Sequence, residues 1–477
     1  MAMTQNESGD NMGRVLLLSI VAALGGFLFG YDSGVINGTV DALQLAFDSD
    51  AVGTGFNVAS MLLGCAVGAF FAGTLADKFG RKPVLLVTAA AFIISAWGSG
   101  ISASSAEFVT FRVLGGLAVG AASIIAPAYI GEIAPARYRG ALISLQQLAI
   151  VIGLFTSFVS NYAIATSAGS STEQFWFGFG AWQWMFWMEI IPASIFLIAL
   201  MFIPESPRYL VAARKYEKAE EVLSGLFRNM DVKAKVEDIR VTVIREEKPS
   251  LWDLVNKRTK NLHPIVWAGL GLAALQQFTG INVVFYYGAV LWQAAGFTEA
   301  DALLTNVISG SVNVAFTFLA IYLVDKVGRR PLLMAGALGQ ALMLGVLALV
   351  FGFAAEGDAG RLELTGTEGI VALLAANAYI AFFATTWGPV MWVMLGEMFP
   401  NRFRGAALAI CGISQWGSNF IITMTFPILL ASIGLGLSYG IYAFFGIVAF
   451  IFVRKVIRET KGRTLEDMSR EHEESMK

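Results

Sequence analysis

Asp77-Lys78-Phe79-Gly80-Arg81-Lys82-Pro83 and Asp325-Lys326-Val327-Gly328-Arg329-Arg330-Pro331 are one short phrase written twice in the same chain. Each copy is a charged, glycine-containing turn between two long apolar stretches. A second pair follows in the same order, Glu132-Ile-Ala-Pro-Ala-Arg-Tyr-Arg-Gly140 and Glu397-Met-Phe-Pro-Asn-Arg-Phe-Arg-Gly405. A third is Glu205-Ser-Pro-Arg208 and Glu459-Thr-Lys461. Three ordered pairs at nearly one separation mean that the chain is a duplication with both halves in the same orientation.

The stretches around these turns are too apolar for a soluble domain. The chain has 477 residues, 56% hydrophobic and 14% charged, against about 25% charged in ordinary soluble domains. Its mean hydropathy is +0.65. A net charge of −2 provides no basic field for nucleic acid. Two cysteines and two histidines give no material for a disulfide framework, a metal cluster or a histidine-based catalytic site, so neither metal nor cofactor is expected. No nucleophile motif or phosphate-binding loop is present, which argues against an enzyme.

Crossing about 30 Å of hydrocarbon at 1.5 Å per residue takes about 20 apolar residues. On that length the chain predicts twelve membrane-spanning helices near 15–37, 53–76, 83–102, 107–131, 139–163, 181–203, 263–293, 301–324, 331–354, 369–396, 405–431 and 434–453. The fold class is therefore all-α integral membrane. Its expected parts are an N-terminal six-helix bundle (1–203), linker helices (204–262), a C-terminal six-helix bundle (263–457) and a tail (458–477). The linker is rich in Lys, Arg and Glu and reads as two or three short amphipathic helices.

All but two of the 33 Lys and Arg residues lie at the termini or in loops after even-numbered spans, the exceptions being Arg112 and Arg361. Positive-inside orientation then places both termini and the linker in the cytoplasm of a multi-pass protein of the cell (inner) membrane. Parallel six-span repeats with the solute between them describe one class of secondary transporter.

The repeated turns carry charges that orientation alone does not need. Asp77, Arg81, Glu132, Arg139, Glu205, Arg208, Asp325, Arg329, Glu397 and Arg404 are candidates for a cytoplasmic gate, with pairs that lock in one state and break in the other. The competing reading is that the basic ones are only positive-inside anchors.

Read in order, the motifs resemble the sugar porters of the major facilitator superfamily over nearly the whole chain. They are Gly30-Tyr-Asp32, Asp77-x-x-Gly-Arg-Lys82, Arg112-x-x-x-Gly116, Pro127-x-Tyr-x-x-Glu132, Arg139-Gly140, Pro204-Glu-Ser-Pro-Arg208, Gln276-Gln-x-x-Gly-x-Asn282, Tyr286-Tyr287, Asp325-x-x-Gly-Arg-Arg330 and Glu459-Thr-Lys-Gly462. The resemblance is strongest to bacterial proton-coupled members. Three departures stand out. Arg458 replaces the proline that usually precedes the closing motif, Trp182-Gln183 stands for Trp-Arg, and Leu154 replaces a glutamine that a xylose-carrying member uses for its sugar.

Asp32, Arg112 and Glu189 fall within spans, where an ionised side chain costs about 2.5–3.5 kcal/mol on the mildest scale. Asp32 and Arg112 reach the same depth from opposite directions, so they can meet, and the resemblance places them together. Burial and a neighbouring guanidinium pull an acid's proton affinity in opposite directions, which suits a proton-coupling pair with Glu189 as a further member. The alternative is a permanent structural ion pair. The resemblance implies coupling, since proton-coupled members carry Asp here and several facilitators carry Asn.

A sugar offers hydroxyls and apolar faces, so its pocket needs amides, phenols and aromatic rings. Candidate substrate-binding residues are Phe29, Gln147, Gln276, Gln277, Asn282, Tyr286, Asn313, Trp392, Gln415 and Trp416, with most contacts expected from the second half. A helix break near Thr279-Gly280 would gather the span-seven amides on one side, and Pro389 is expected to kink span ten. Gln146, Asn377 and Asn419 also read as helix–helix glue. Trp176, Trp182 and Trp187 read as packing or interface residues. The Gly26, Gly30, Gly34, Gly38 ladder reads as close helix packing.

The expected function is secondary active transport of a monosaccharide, D-glucose first, by proton symport and alternating access. A passive facilitator of the same fold is the alternative. Expected partners are the sugar, the proton and the lipid bilayer, with the monomer as the functional unit and no nucleic acid.

Overall fold

The computed structural model describes residues 11–135, 137–227, 231–245, 251–255, 260–356, 362–400 and 403–461. The tail expected beyond residue 461, and the side chain of Asp325, lie outside the described residues. The chain runs α1 (Met12–Val35), α2 (Val40–Ala46), α3 (Ala51–Phe79), α4 (Arg81–Ile101), α5 (Ser105–Ile133), α6 (Arg139–Ala168), α7 (Ala181–Trp187) and α8 (Ile190–Phe202). Three linker helices follow, α9 (Pro207–Ala212), α10 (Tyr216–Leu226) and α11 (Val232–Arg245). The second half holds α12 (Pro264–Phe278), α13 (Ile281–Ala294), α14 (Glu299–Val327), α15 (Arg329–Phe353), α16 (Gly366–Thr385), α17 (Trp387–Met398) and α18 (Arg404–Val456). A two-residue ribbon, β1 (Ala355–Glu356) with β2 (Leu362–Glu363), closes one loop. Among the described residues, eleven helical stretches are long and apolar enough to span a membrane. The longest, α18, contains two of the expected spans run together, with Gly434 at φ 76° marking their junction.

Three spans are each built from two helices, and proline explains two of the breaks. A proline cannot donate its backbone N–H, and its ring crowds the carbonyl four residues earlier. Pro192 therefore disturbs the turn at Met188, and α7 stops at Trp187 with Glu189 in the gap before α8. Pro389 acts on Thr385 in the same way, and the chain leaves helical geometry at Thr386 (φ −127°, ψ −86°). The expected kink in span ten is thus present, three residues upstream of the proline itself. The third break is the one expected in span seven. Gly280 adopts φ 83°, a left-handed conformation that glycine enters at little cost, and a Cβ there would sit 2.8 Å from the Tyr442 ring.

The two ends of the bundle differ chemically. One end carries the Asp77 and Asp325 turns and the linker, and is basic. At the other, acidic end α3, α5, α14 and α16 begin. Side-chain oxygens of Asp50, Ser104, Thr298 and Thr365 cap their first turns. Acids and hydroxyls satisfy open N–H groups and complement the positive helix terminus, so helix starts contribute to the acidic loops there.

Small residues bring helices into close contact. On α1, a Cβ at Gly30 would lie 1.8 Å from the Ile150 carbonyl oxygen of α6, and one at Gly34 would lie 1.9 Å from Ser157 Oγ. Gly116 of α5 lies as close to the Met61 carbonyl of α3. The halves meet where Gly55 of α3 faces the Met424 carbonyl of α18 and where Gly310 of α14 faces Phe155 and Phe158 of α6.

Candidate functional site

Asp32 of α1 and Arg112 of α5 form an ion pair, each residue 1% exposed. Arg112 Nη1 donates to the Asp32 carboxylate, and Nη2 donates to the Asp32 carbonyl at 3.2 Å and to Met61 Sδ at 2.9 Å. The guanidinium also lies over the Phe186 ring, 5.6 Å from its centroid. Asp32 Oδ2 has no hydrogen-bond partner. Glu189, also 1% exposed, completes the cluster, and both Asp32 and Arg112 act on it electrostatically. The break between α7 and α8 is what places it there. Ser33, Met61 and, from α13, Tyr286 line one small, closed gap with Arg112.

Beside the two helix breaks of the second half lies a directed chain of amides. Asn282 Nδ2 donates to Gln277 Oε1 at 2.6 Å, and Gln277 Nε2 donates to Gln276 Oε1 at 3.1 Å. Gln276 Nε2 donates to the Trp387 carbonyl at 2.8 Å, next to the span-ten break. Gln276 therefore joins one break to the other. Tyr379, which the sequence reading did not single out, donates its hydroxyl to the Thr279 carbonyl at 2.8 Å. Irregular backbone at membrane depth is tolerated where such partners satisfy it. The signal was a tyrosine in span ten, which composition does not distinguish from packing.

Of the other expected sugar residues, Tyr286 accepts from Asn419 Nδ2 at 3.4 Å. Phe29 of the first half packs on Trp416 of the second, with ring centroids 5.7 Å apart. Gln415 is buried and its Oε1 lacks a partner. Asn313 is buried on α14, Gln147 is half-buried on α6 and Trp392 is exposed on α17, and the structure does not link these three to the amide chain. Leu154 packs its Cδ1 toward Gly34 of α1.

At the basic end two matching clusters stand, one in each half. Arg81 pairs with Glu132 at 2.9 Å and with Asp77 at 3.1 Å, although the Asp77 side chain is 75% exposed. Arg329 pairs with Glu397 at 2.8 Å. Gly80 and Gly328 both have φ 102° and ψ 162° and precede α4 and α15. The open N–H groups of those helices are satisfied from far along the chain. Glu205 accepts from Arg81 N and Lys82 N at 3.0 and 3.2 Å. Glu459 accepts from Arg329 N and Arg330 N at 3.0 and 2.9 Å, and also from Thr460 N and Lys461 N. Burial pushes the Glu459 carboxyl up, but these four N–H donors outweigh it and hold the group below the usual carboxylate range. Ser206 and Thr460 donate in turn to Glu132 and Glu397.

Of the remaining gate candidates, Arg139 is exposed at the start of α6, Arg404 donates to the Phe399 carbonyl at 3.1 Å, and Arg208 is half-buried on α9. Each cluster ties its own half together.

Hydrogen bonds that join the halves gather at the acidic end. Asn37 donates to the Phe285 carbonyl at 2.8 Å and accepts from Ala289 N at 3.1 Å and from Asn306 Nδ2 at 2.8 Å. Gln293 donates to Asp41 at 2.6 Å, and Ser171 N donates to Glu299 at 2.8 Å. The sequence reading missed Asn37 and Asn306, both lone amides at span ends.

Two related helical bundles, joined at one end and holding buried amides and a buried ion cluster inside, define a membrane transporter. A family model described as "Sugar (and other) transporter" matches residues 18–472. The chain belongs to that family, the sugar porters of the major facilitator superfamily. It is 50% identical over 464 residues to the glucose transport protein of Synechocystis sp., covering 97% of this chain and 98% of that one. It is 38% identical over 490 residues to the D-xylose-proton symporter of Escherichia coli, covering 96% of each. The solved structure of the xylose transporter XylE from E. coli, in a partially occluded inward-open conformation, matches with a TM-score of 0.81 at 37% identity, covering 95% of this chain and 100% of that one. The protein is thus a multi-pass membrane sugar transporter and not an enzyme.

Proposed function

We propose that this transporter carries a hexose, D-glucose first, together with one proton into the cell across the inner membrane, as a monomer working by alternating access. The observation that carries the coupling is the Asp32, Arg112 and Glu189 cluster. Two acids and one guanidinium sum to −1 when both acids are ionised (−2 + 1) and to zero when one proton is bound. An uncompensated charge is expensive to bury, so binding of one proton would neutralise the cluster. The relatives support the reading, since one is a glucose transport protein and another is a D-xylose-proton symporter. Leu154, in place of a polar partner, favours a hexose over D-xylose.

In this reading the basic end is cytoplasmic. The acidic end is shut by the Asn37 knot, so the site opens to the cytoplasm. Sugar hydroxyls take over hydrogen bonds in the Gln277 and Asn282 chain and satisfy Gln415 Oε1. Phe29 and Trp416 supply an apolar wall from opposite halves. Tyr286 of α13 and Arg112 line the same small gap, so a shift of α13 on sugar binding reaches the proton cluster. The Arg81 and Arg329 clusters serve as cytoplasmic latches that hold each half rigid while the halves rock.

One proton moving down about 100 mV releases about 2.3 kcal/mol, which supports a sugar gradient of about 50-fold at 1.4 kcal/mol per decade. The test is uptake and counterflow in proteoliposomes against a panel of hexoses and pentoses. Wild type should accumulate D-glucose above the external concentration. Asp32→Asn should lose accumulation while still exchanging labelled sugar. Accumulation unchanged in that variant removes the coupling role, and counterflow by pentoses alone removes the hexose assignment.

A further inference from the structure

The segment Gly169-Ser-Ser-Thr-Glu-Gln-Phe-Trp-Phe-Gly-Phe-Gly180, between α6 and α7 at the acidic end, has one charged residue and four aromatic ones in a row of five. It folds as a small hairpin. Gln174 and Gly180 form an antiparallel bridge, Phe175 N donates to the Phe179 carbonyl at 2.8 Å, and Phe179 N returns to the Trp176 carbonyl at 3.2 Å. The two tip residues, Phe177 (φ 58°) and Gly178 (φ 78°), are both left-handed. Such a turn is normally made by Asn-Gly or Asp-Gly, because a bulky side chain is strained at positive φ. Here the strained position carries a phenylalanine that is 87% exposed. Turn formation does not call for that side chain, and none of the described residues covers it.

Packing fixes where the tip points. Trp187 Nε1 donates to the Trp97 carbonyl at 3.1 Å, and Gln183 Nε2 donates to the Gly100 carbonyl at 2.7 Å, which binds α7 to the last turn of α4. Phe179 stands edge-on to Trp187 at 4.9 Å, Phe177 lies 6.2 Å from Trp184, and Trp184 Nε1 donates to the Trp176 carbonyl at 3.1 Å. The hairpin is thus held beside Trp97, which lies four residues, or about 6 Å at 1.5 Å per residue, short of the end of α4 at Ile101. Trp97, Ile94 and Ile101 are exposed on the outer face of that helix, and Ile191, Ile195 and Ile198 are exposed on α8 beside it. The aromatic tip continues this exposed apolar strip past the end of α4, and Trp rings prefer the membrane–water boundary.

We propose that the Phe175–Phe179 hairpin is an interfacial paddle. It lies on the leaflet at the acidic end, with Phe177 and Trp176 among the phospholipid headgroups and first methylenes. Its occupant is the bilayer itself, and it anchors the first half at that surface independently of which solute is carried.

The test uses the full-length protein in phosphatidylcholine nanodiscs at one copy per disc. Nitroxide labels are placed at Phe177→Cys and, as a control on the same loop, at exposed Thr172→Cys; the native Cys65 and Cys411 are buried. Collisions with oxygen relative to a water-soluble nickel chelate should be several-fold higher at 177 than at 172. Equal chelate access at the two positions overturns the proposal. So does dipolar coupling between copies when two are placed in one disc, which would assign the face to a second copy. Phe177→Asn supplies an independent measurement. It relieves the turn, so its melting temperature in detergent should equal or exceed that of wild type, while in phosphatidylcholine it should fall below wild type. An equal loss in both media would mean that Phe177 only holds the loop together.

Discussion

Asp32 is tolerable in the bundle because Arg112 is there, and Arg112 in turn faces two buried acids, Asp32 and Glu189. Removing one partner of a buried pair leaves an unmatched charge, at a cost of about 3–5 kcal/mol. Arg112→Leu is therefore expected to lower the thermal midpoint in detergent sharply, while Asp32→Asn combined with Arg112→Gln should recover most of the loss. A second residue-scale prediction concerns Glu459. Burial raises its folded carboxyl, but the backbone N–H groups of Lys461, Arg329, Arg330 and Thr460 outweigh that and hold it below the ordinary value. A depressed acid contributes stability that is present above the unfolded value of about 4.3 and is lost as pH falls through the folded one. Glu459→Gln should therefore melt lower than wild type at pH 7, and the two melting curves should converge as pH drops below about 4. A gap that persists in acid would contradict the assignment. The meeting of Asp32 with Arg112 was legible in the sequence because charge at membrane depth must find a partner. The anchoring of Gln276 on the Trp387 carbonyl was not, because that acceptor is a backbone group exposed only by a helix break.

The helix breaks carry the site's shape. Those at Gly280 and Thr386 supply carbonyls and directions that a straight helix lacks, and Tyr379 and Gln276 hold them. Gly280→Ala would force a Cβ into left-handed backbone and against Tyr442. The backbone term alone is about 1–2 kcal/mol. In the proposed mechanism the variant still inserts in the membrane but transports with strongly reduced turnover, read as initial uptake rate per folded molecule. Wild-type turnover would mean that this break is incidental. At this scale the sequence was legible wherever a breaker residue stood inside an apolar run, as at Gly280 and Pro389. The gap at Glu189 was missed, although Pro192 signals it by the same carbonyl clash. The junction at Gly434 was placed correctly as a span boundary, but the turn there is a single left-handed glycine within one long helix.

Over the whole molecule the duplication has a physical consequence. Gly80 and Gly328, Glu205 and Glu459, Ser206 and Thr460 occupy equivalent places, so each half is stiffened at its basic end by the same device. The halves are joined instead at the acidic end, through Asn37 above all. Asn37→Ala removes three hydrogen bonds, and a shift of about 1–3 kcal/mol between conformations corresponds to roughly 5- to 150-fold in population. Spin-label distances across the acidic end should therefore broaden toward longer values in the variant, and an unchanged distribution would show that the knot does not set the closure. The repeat and the number of spans could be read from the chain, since both follow from periodic hydrophobicity and recurring turns. Which end is closed could not, because that depends on contacts between residues about half a chain apart.

The proposed coupling is examined most directly by adding D-glucose to proteoliposomes in weakly buffered medium and following internal pH and sugar entry together. The account predicts that protons enter with the sugar in wild type and that sugar entry in Asp32→Asn leaves internal pH unchanged. Sugar entry into wild-type vesicles with no movement of protons would contradict it.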